Sequence, residues 1–152
     1  MGTGHILGIS GSLRAGSLNT RLLAEAERLF DPARITRAAD AVIISGPEYN
    51  KSISGVLKNA LDWVSRTKPN PWRDKPVALM SATAGRAGGE RAQWIMRLAL
   101  NPFRPRLLVG PEVLVGSAAS QFDEAGRLIN DRYLAALTEL MAALRTEAGL
   151  AG

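Results

Sequence analysis

Short apolar runs along the chain predict buried β-strands, because each is only a few residues long and is bounded by glycine, proline or polar residues. The runs predicted as strands are residues 5–10, 41–44, 76–81 and 112–115. A further apolar run, residues 106–109, is separated from the last of these by Gly110 and Pro111. Only the second run of that pair is counted as a strand.

Between these runs, apolar residues recur at intervals of three and four, which is the period of an amphipathic helix. The pattern predicts helices that end before Asp31-Pro32, over residues 55–66, over residues 90–100, and near the end of the chain. Trp94 is expected on the core side of the third helix. The predicted apolar faces are Leu22, Leu23, Ala26, Leu29 and Phe30; Leu57, Ala60, Leu61 and Val64; Trp94, Ile95, Leu98 and Ala99; and Leu134, Leu137, Leu140, Met141 and Leu144.

The alternation of strands and helices predicts an α/β fold, a parallel sheet with helices on its faces. The 152 residues are expected to form one domain, residues 1–152. The loops that follow the first three strands all leave the sheet at its carboxyl edge, where α/β proteins bind ligands.

The loop after the second strand, residues 46–54, carries the most varied chemistry. Pro47 stiffens its entry, and Glu48, Tyr49 and Asn50 add a carboxylate, an aromatic ring and an amide. Ser54 is the predicted N-cap of the next helix. The alternative is a polar turn that binds nothing, since loops of this composition are common.

The loop after the first strand, residues 11–20, is rich in glycine and hydroxyl groups and leads into a helix. Ser12, Arg14, Ser17 and Asn19 converge there with the first amides of the helix, an arrangement that suits a phosphate. The loop is neither a P-loop nor a dinucleotide fingerprint. It therefore favours a phosphomonoester such as that of FMN. The alternative is an ordinary capped helix with Arg14 in solvent.

The loop after the third strand, residues 82–89, contains three glycines and follows Ser81. Together, the three loops outline a site for a flat, phosphorylated ligand that lies along the edge of the sheet.

Composition narrows the function further. There is no cysteine, so disulfides and thiolate chemistry are excluded and an intracellular location is compatible. The net charge of +5 favours anionic ligands, but the charges are scattered, so no nucleic-acid partner is expected. No apolar run is long enough to span a membrane, and the first residues lack the features of a signal peptide. His5 is the only histidine and has no companion ligands, so no metal site is expected.

The motifs in these loops carry a family resemblance. The chain resembles the NAD(P)H-dependent FMN reductases of the flavodoxin-like fold, which include quinone, azo and chromate reductases. The residues that carry the resemblance are Gly11–Arg14 with Ser17 and Asn19; Pro47–Asn50 with Ser52, Gly55 and residues 57–63; Ser81 with the loop to Gly89; and residues 110–113 and 122–128.

The resemblance implies a doubly wound sheet, a bound FMN and NADPH or NADH as co-substrate. It assigns the FMN phosphate to Ser12, Arg14, Ser17 and Asn19, the flavin ring to Pro47, Glu48, Tyr49 and Asn50, and the pyrimidine end to Ser81 through Gly85. The implied reaction passes a hydride from NAD(P)H to the flavin and then electrons to a quinone, a free flavin, an azo compound or a similar acceptor. No catalytic side chain is required. A cytoplasmic homodimer or homotetramer is expected.

The chain departs from the family in one large respect. Only about ten residues separate the first helix from the segment at residues 38–40, where the family carries a second strand and most of a second helix. The sheet is therefore expected to have four strands, with the first strand at an exposed edge that forms a subunit contact.

The same deletion also affects the first helix. Right-handed crossovers, about 98 % of known cases, would move this helix to the opposite face of the sheet. A left-handed crossover, or exchange of elements between subunits, would keep it in place. A protein impaired by this deletion would be a non-catalytic flavin-binding module or electron carrier, which is the alternative function.

Overall fold

The structure is a computed structural model in which residues 5–30 and 39–150 are described. Strands and helices alternate there as the sequence predicts. The elements are β1 (Ile6–Ser10), α1 (Leu18–Phe30), β2 (Ala41–Ser45), α2 (Gly55–Val64), β3 (Pro76–Ala82), α3 (Glu90–Leu100), β4 (Arg106–Leu107), β5 (Val113–Val115) and α4 (Asp131–Glu147).

All pairings between these strands are parallel, and the order across the sheet is β1, β2, β3 and then β4 and β5, which lie one after the other along β3. β4 pairs with the first residues of β3, and β5 pairs with its last residues. The predicted four strands thus become five in the described residues, because both apolar runs around Gly110 and Pro111 form strands. Proline has no N–H to donate to a ladder, which accounts for the break between them.

The helices lie in two layers. α1 and α4 pack on one face of the sheet, around Leu22, Leu137 and Met80. α2 and α3 pack on the other face, around Leu57, Met96 and Leu79. Side chains along β3 alternate between the two cores, as expected for a strand buried on both faces.

The prediction that Trp94 lies in the core is wrong. Trp94 is 61 % exposed, and the buried side of α3 is formed by Ala92, Gln93, Met96 and Leu100. Gln93 is buried because its amide donates hydrogen bonds to Ser81 Oγ (3.1 Å) and to the carbonyl of Val113 (2.9 Å). A periodicity based on apolar residues alone therefore places the buried face of α3 incorrectly.

α1 keeps its place beside α4, and this settles which face it covers. The chain steps in one direction from β1 to β2 to β3, yet α1 and α2 cover opposite faces of the sheet. The two crossovers therefore have opposite hands. The crossovers through α2 and α3 share one hand, and that hand is the right-handed one, since about 98 % of crossovers are right-handed. The connection through α1 therefore has the rare left-handed form. The short basic connection predicted after α1 lies largely outside the described residues.

The buried carboxylate of Glu25 fixes α1 against the C-terminal part of the chain. Its Oε1 accepts hydrogen bonds from Arg28 Nε and Arg127 Nε, both at 2.9 Å, and its Oε2 accepts one from the backbone N–H of Leu128 at 3.3 Å. Burial alone would raise the pKa of Glu25, but these donors and the nearby charge of Arg28 outweigh it and lower that pKa. The contact ties α1 to the turn that leads into α4.

Candidate functional site

The loops after β1, β2 and β3 are bonded to one another at the carboxyl edge of the sheet. The N–H of Gly11 donates to the carbonyl of Ser45 at 2.8 Å, and the N–H of Gly46 donates to the carbonyl of Met80 at 3.1 Å. The hydroxyl of Ser54 donates to the carbonyl of Gly11 at 2.5 Å and accepts from the N–H of Leu57 at 3.2 Å. The predicted N-cap at Ser54 is thus confirmed, and it joins α2 to the first loop.

These loops enclose an open cavity of about 430 Å³. This volume lies within the range of small-molecule and cofactor sites. Residues from all three loops line it: Ser12, Arg14, Ala15, Gly16, Ser17, Leu18 and Asn19; Pro47, Glu48 and Tyr49; and Ala82, Thr83 and Ala84.

One end of the cavity is rich in hydrogen-bond donors. The amides of Leu18, Asn19 and Thr20 are the first three of α1 and have no acceptor within the helix. Arg14 is exposed beside them, and within the described residues the hydroxyl of Ser17 makes no hydrogen bond. A positive helix end, a guanidinium and free donors together provide a site for an anion.

Asn19 lines this end of the cavity but uses its side chain elsewhere. Its Oδ1 accepts from the N–H of Ala82 at 3.0 Å and from Ser45 Oγ at 3.1 Å, and its Nδ2 donates to the carbonyl of Ala82 at 2.8 Å. The side chain therefore fastens the first turn of α1 to the ends of β2 and β3. Its backbone N–H remains among the free amides.

The middle loop is a tight hairpin that presents Tyr49. Tyr49 and Ser52 exchange two backbone hydrogen bonds of 2.9 Å. The two residues between them, Asn50 and Lys51, have φ angles of 50° and 64°, so they form a turn of type I′. The phenol oxygen of Tyr49 lies 3.3 Å from Ser12 Oγ, which links this loop to the first one.

Glu48 links the middle loop to α3. Its Oε2 accepts a hydrogen bond of 3.4 Å from the N–H of Ala92, in the first turn of the helix. No side chain caps α3 at Gly89, so the carboxylate also offsets the positive end of that helix.

Ser81 and Gly85 do not line the cavity; Ala82, Thr83 and Ala84 do. Ser81 is fully buried on the other face of β3, where its hydroxyl donates to the carbonyl of Gly88 and accepts from Gln93. A Cβ at Gly89 would lie 2.8 Å from Ser81 Oγ, so Ser81 packs beneath the glycines that turn the chain into α3.

The structure thus brings Ser12, Arg14, Ser17, Asn19, Pro47, Glu48 and Tyr49 to one cavity. Asn50 stands at the exposed tip of the hairpin, outside the lining. Sequence reasoning missed Ala15, Gly16 and Leu18 as lining residues, whereas Ala82, Thr83 and Ala84 lie within the range from Ser81 to Gly85 that the resemblance implied. These residues border the cavity through their position in the loops, and apart from the hydroxyl of Thr83 their side chains carry no chemical signal.

Comparison with known proteins identifies the family. The profile of the NADPH-dependent FMN reductases matches residues 32–120. An NAD(P)H-dependent FMN reductase from Pseudomonas aeruginosa is 39 % identical over 171 aligned positions, which cover 92 % of each chain. The chain belongs to the NADPH-dependent FMN reductase family. It is accordingly an NAD(P)H-dependent flavin oxidoreductase with FMN as its cofactor and the flavodoxin-like fold that the resemblance implies.

Two further proteins extend the likeness. A probable NADPH:quinone oxidoreductase from Oryza sativa subsp. japonica is 33 % identical and covers 93 % of this chain and 87 % of its own length. The solved structure of a flavoenzyme NAD(P)H:(acceptor) oxidoreductase from Paracoccus denitrificans superposes with a TM-score of 0.86 at 22 % identity. It covers 97 % of this chain and 98 % of its own, and it supports the fold.

The family reductase from Pseudomonas aeruginosa also supports the deletion. Its alignment of 171 positions is longer than the 152 residues of this chain, so that relative carries residues without a counterpart here. The family profile begins after β1, the first loop and α1. The profile match therefore does not include the donor-rich end of the cavity, which is formed by the first loop and the start of α1.

The donor set of the cavity fits FMN. A phosphomonoester needs several N–H and O–H donors and positive charge, and the end beside α1 offers both. The rest of the cavity, lined by Pro47, Tyr49 and small residues of the third loop, is suited to a flat aromatic ring system.

Proposed function

We propose that this protein takes a hydride from NAD(P)H and passes electrons to a quinone, a free flavin, an azo compound or a similar small acceptor. One observation carries the proposal: the three loops form a single cavity with a cationic, donor-rich end and a remainder lined by Pro47, Tyr49 and small residues of the third loop. When bound there, FMN supplies the hydride and electron-transfer chemistry. The residues of this chain bind it, orient it and shield it.

The first loop is proposed to hold the phosphate. Arg14 would pair with it as a charged donor, and Ser12 and Ser17 would add hydroxyl donors. Asn19 would contribute its backbone N–H, because its side chain already bonds to Ala82 and Ser45. The amides at the start of α1 complete the donor set without any side-chain ordering.

The middle loop is proposed to hold the ring system. Pro47 and the hairpin of Tyr49 and Asn50 would lie along the redox edge, with backbone groups of the hairpin as hydrogen-bond partners. The two hydrogen bonds between Tyr49 and Ser52 hold this backbone rigid. A rigid loop orients a ring system with a smaller loss of loop entropy on binding.

The proposal needs no general acid or base from the protein. Among the residues that the structure describes, Glu48 is the only carboxylate that lines the cavity, and it already accepts a hydrogen bond from the N–H of Ala92. We assign it the task of joining the middle loop to α3. Ser81 and Gly85 are proposed to shape the third loop, while Ala82, Thr83 and Ala84 border the pyrimidine end.

Residues 1–152 are proposed to act as one FMN-binding domain, in the cytoplasm, as a homodimer or homotetramer. An assembly would cover large apolar side chains that are exposed on α2 and α3, since Trp63 is 72 % exposed and Leu98 is 74 % exposed. None of the described helices combines the length and the apolar character that a membrane crossing needs.

Steady-state oxidation of NADPH and NADH, with and without a quinone, tests the activity on protein loaded with FMN. Acceptor-dependent oxidation that disappears when FMN is removed and returns when it is restored is the expected result. Protein that binds FMN but shows no such oxidation would instead be the non-catalytic module or electron carrier.

A further inference from the structure

Among the described residues, β1 is an edge strand, because it pairs with β2 and nothing else pairs with it. The carbonyl of His5 accepts a hydrogen bond from the N–H of Asp40, and the N–H of Gly11 donates to the carbonyl of Ser45, both toward the β2 side. Backbone groups alternate in direction along a strand. Those of residues 5, 7, 9 and 11 thus face β2, and those of Ile6, Gly8 and Ser10 face outward, unpaired.

Within the described residues, this edge carries neither the charges nor the prolines that usually prevent strands from pairing. Residues 6–10 contain no charged residue and no proline. α1 contacts β1, β2 and β3, so this helix lies over the interior of the sheet and not along the outer edge of β1. On the opposite face, Leu7 and Ile9 are only partly buried against the core beneath α2.

We propose that β1 pairs in antiparallel fashion with β1 of a second copy of this chain, with the two Gly8 residues opposite each other on a two-fold axis. The outward backbone groups of Ile6, Gly8 and Ser10 would then meet those of Ser10, Gly8 and Ile6 of the second copy. In this register Leu7 lies opposite Ile9 of the second copy, so both partly exposed side chains gain an apolar cross-strand partner.

The features of the β1 edge favour a second copy of this chain as its partner. The edge is self-complementary about Gly8, both in its hydrogen-bonding groups and in its apolar pair. A two-fold pairing also closes, so it consumes both open edges and does not propagate into fibres. The second strand would take the place of the one that the family carries and this chain lacks.

Cysteine cross-linking tests the register without background, because the chain contains no cysteine. The variants Leu7→Cys and Ile9→Cys are expressed separately and together, and each sample is oxidised mildly. Opposed residues 7 and 9 would form a non-hydrogen-bonded pair with a Cα separation of about 4.5 Å, within disulfide range. Like positions are diagonal, at about 7–8 Å, and out of range.

The expected result is a covalent dimer from co-expressed variants and little from either variant alone. Equal cross-linking in all three samples, or none in a protein that light scattering finds dimeric, would overturn the proposal. A monomeric wild type would do the same. FMN binding is measured in parallel, because its loss would count against the proposed function and leave the pairing untouched.

A charge exchange provides a second test that needs no oxidation. The variant L7K/I9K would place lysines opposite each other, whereas L7K/I9E would place Lys opposite Glu in the same register. We expect the dimer dissociation constant of L7K/I9K to exceed that of L7K/I9E by about tenfold. Equal dissociation constants would contradict the register.

Discussion

The side-chain oxygen of Asn19 accepts a hydrogen bond of 3.0 Å from the backbone N–H of Ala82. This contact joins the first turn of α1 to the end of β3, across 63 residues of sequence. Because α1 lies within the rare left-handed crossover, specific contacts are needed to hold this helix against the sheet. Asn19 secures the end that faces the cavity, and Glu25 secures the middle of the helix.

Replacing Asn19 by Asp should weaken both folding and cofactor binding. The substitution removes the Nδ2 donor and places a buried carboxylate against the carbonyl of Ala82. We expect the free energy of unfolding to fall by about 1–3 kcal/mol. The dissociation constant of FMN should rise as the amides of α1 lose their position. Thermal unfolding of the cofactor-free protein and an FMN titration measure the two effects.

Asn59→Asp is the matched control, because Asn59 is exposed on α2 and its side chain makes no hydrogen bond within the described residues. It should leave both quantities nearly unchanged. Equal effects from the two variants would show that the added charge, and not the lost anchor, is responsible.

Arg14→Ala should weaken FMN binding by roughly 10- to 100-fold, the value of one charged hydrogen-bond donor of about 1.5–3 kcal/mol. Arg14→Lys should recover part of the loss, since it restores the charge without the planar fork. Riboflavin serves as the internal control: it lacks the phosphate, so its affinity should be the same in wild type and Arg14→Ala. If riboflavin weakens equally, the phosphate does not lie at this end.

Glu25→Gln should lower stability in a way that depends on pH. The carboxylate of Glu25 has a lowered pKa in the folded protein, so its contribution is complete above the ordinary glutamate range and is lost as the pH falls through the folded value. At neutral pH the variant should therefore be less stable, by about 1–2 kcal/mol. Urea unfolding of both proteins across the acidic range should show this difference shrinking. A constant difference would mean that the charge of Glu25 is not responsible.

Lys51→Gly should stabilise the hairpin of the middle loop. Lys51 holds a φ of 64°, where glycine has no steric penalty. The gain should be at most about 1 kcal/mol, because glycine also gains freedom in the unfolded chain. The same substitution at Lys58, inside α2, should reduce stability by a similar amount. A loss of stability at both sites would contradict the turn assignment.

The sequence predicts the sheet and the three loops well, because apolar runs, capping residues such as Ser54 and Pro-Gly breaks act locally. It fails where a tertiary contact reverses a local preference. Gln93 is buried because Ser81 and Val113 accept its hydrogen bonds, and this turns Trp94 to solvent. Ser81 is placed outside the cavity for the same reason.

The sequence also does not predict which face of the sheet α1 covers. The statistics of crossovers favour the opposite face, and the packing of α1 against α4, together with the contacts of Asn19 and Glu25, shows which face α1 occupies. Both residues are polar and lie on a helix whose predicted apolar face is confirmed at Leu22, Leu23, Ala26 and Leu29. No periodicity reveals that they bond to segments far along the chain.

The most direct test of the central claim is an anaerobic reduction of protein reconstituted with FMN, followed through the visible absorbance of the flavin. Addition of NADPH or NADH should remove the absorbance of the oxidised flavin, and addition of a quinone should restore it. Protein that does not bind FMN, or bound FMN whose spectrum is unchanged by NADPH and NADH, would contradict the account.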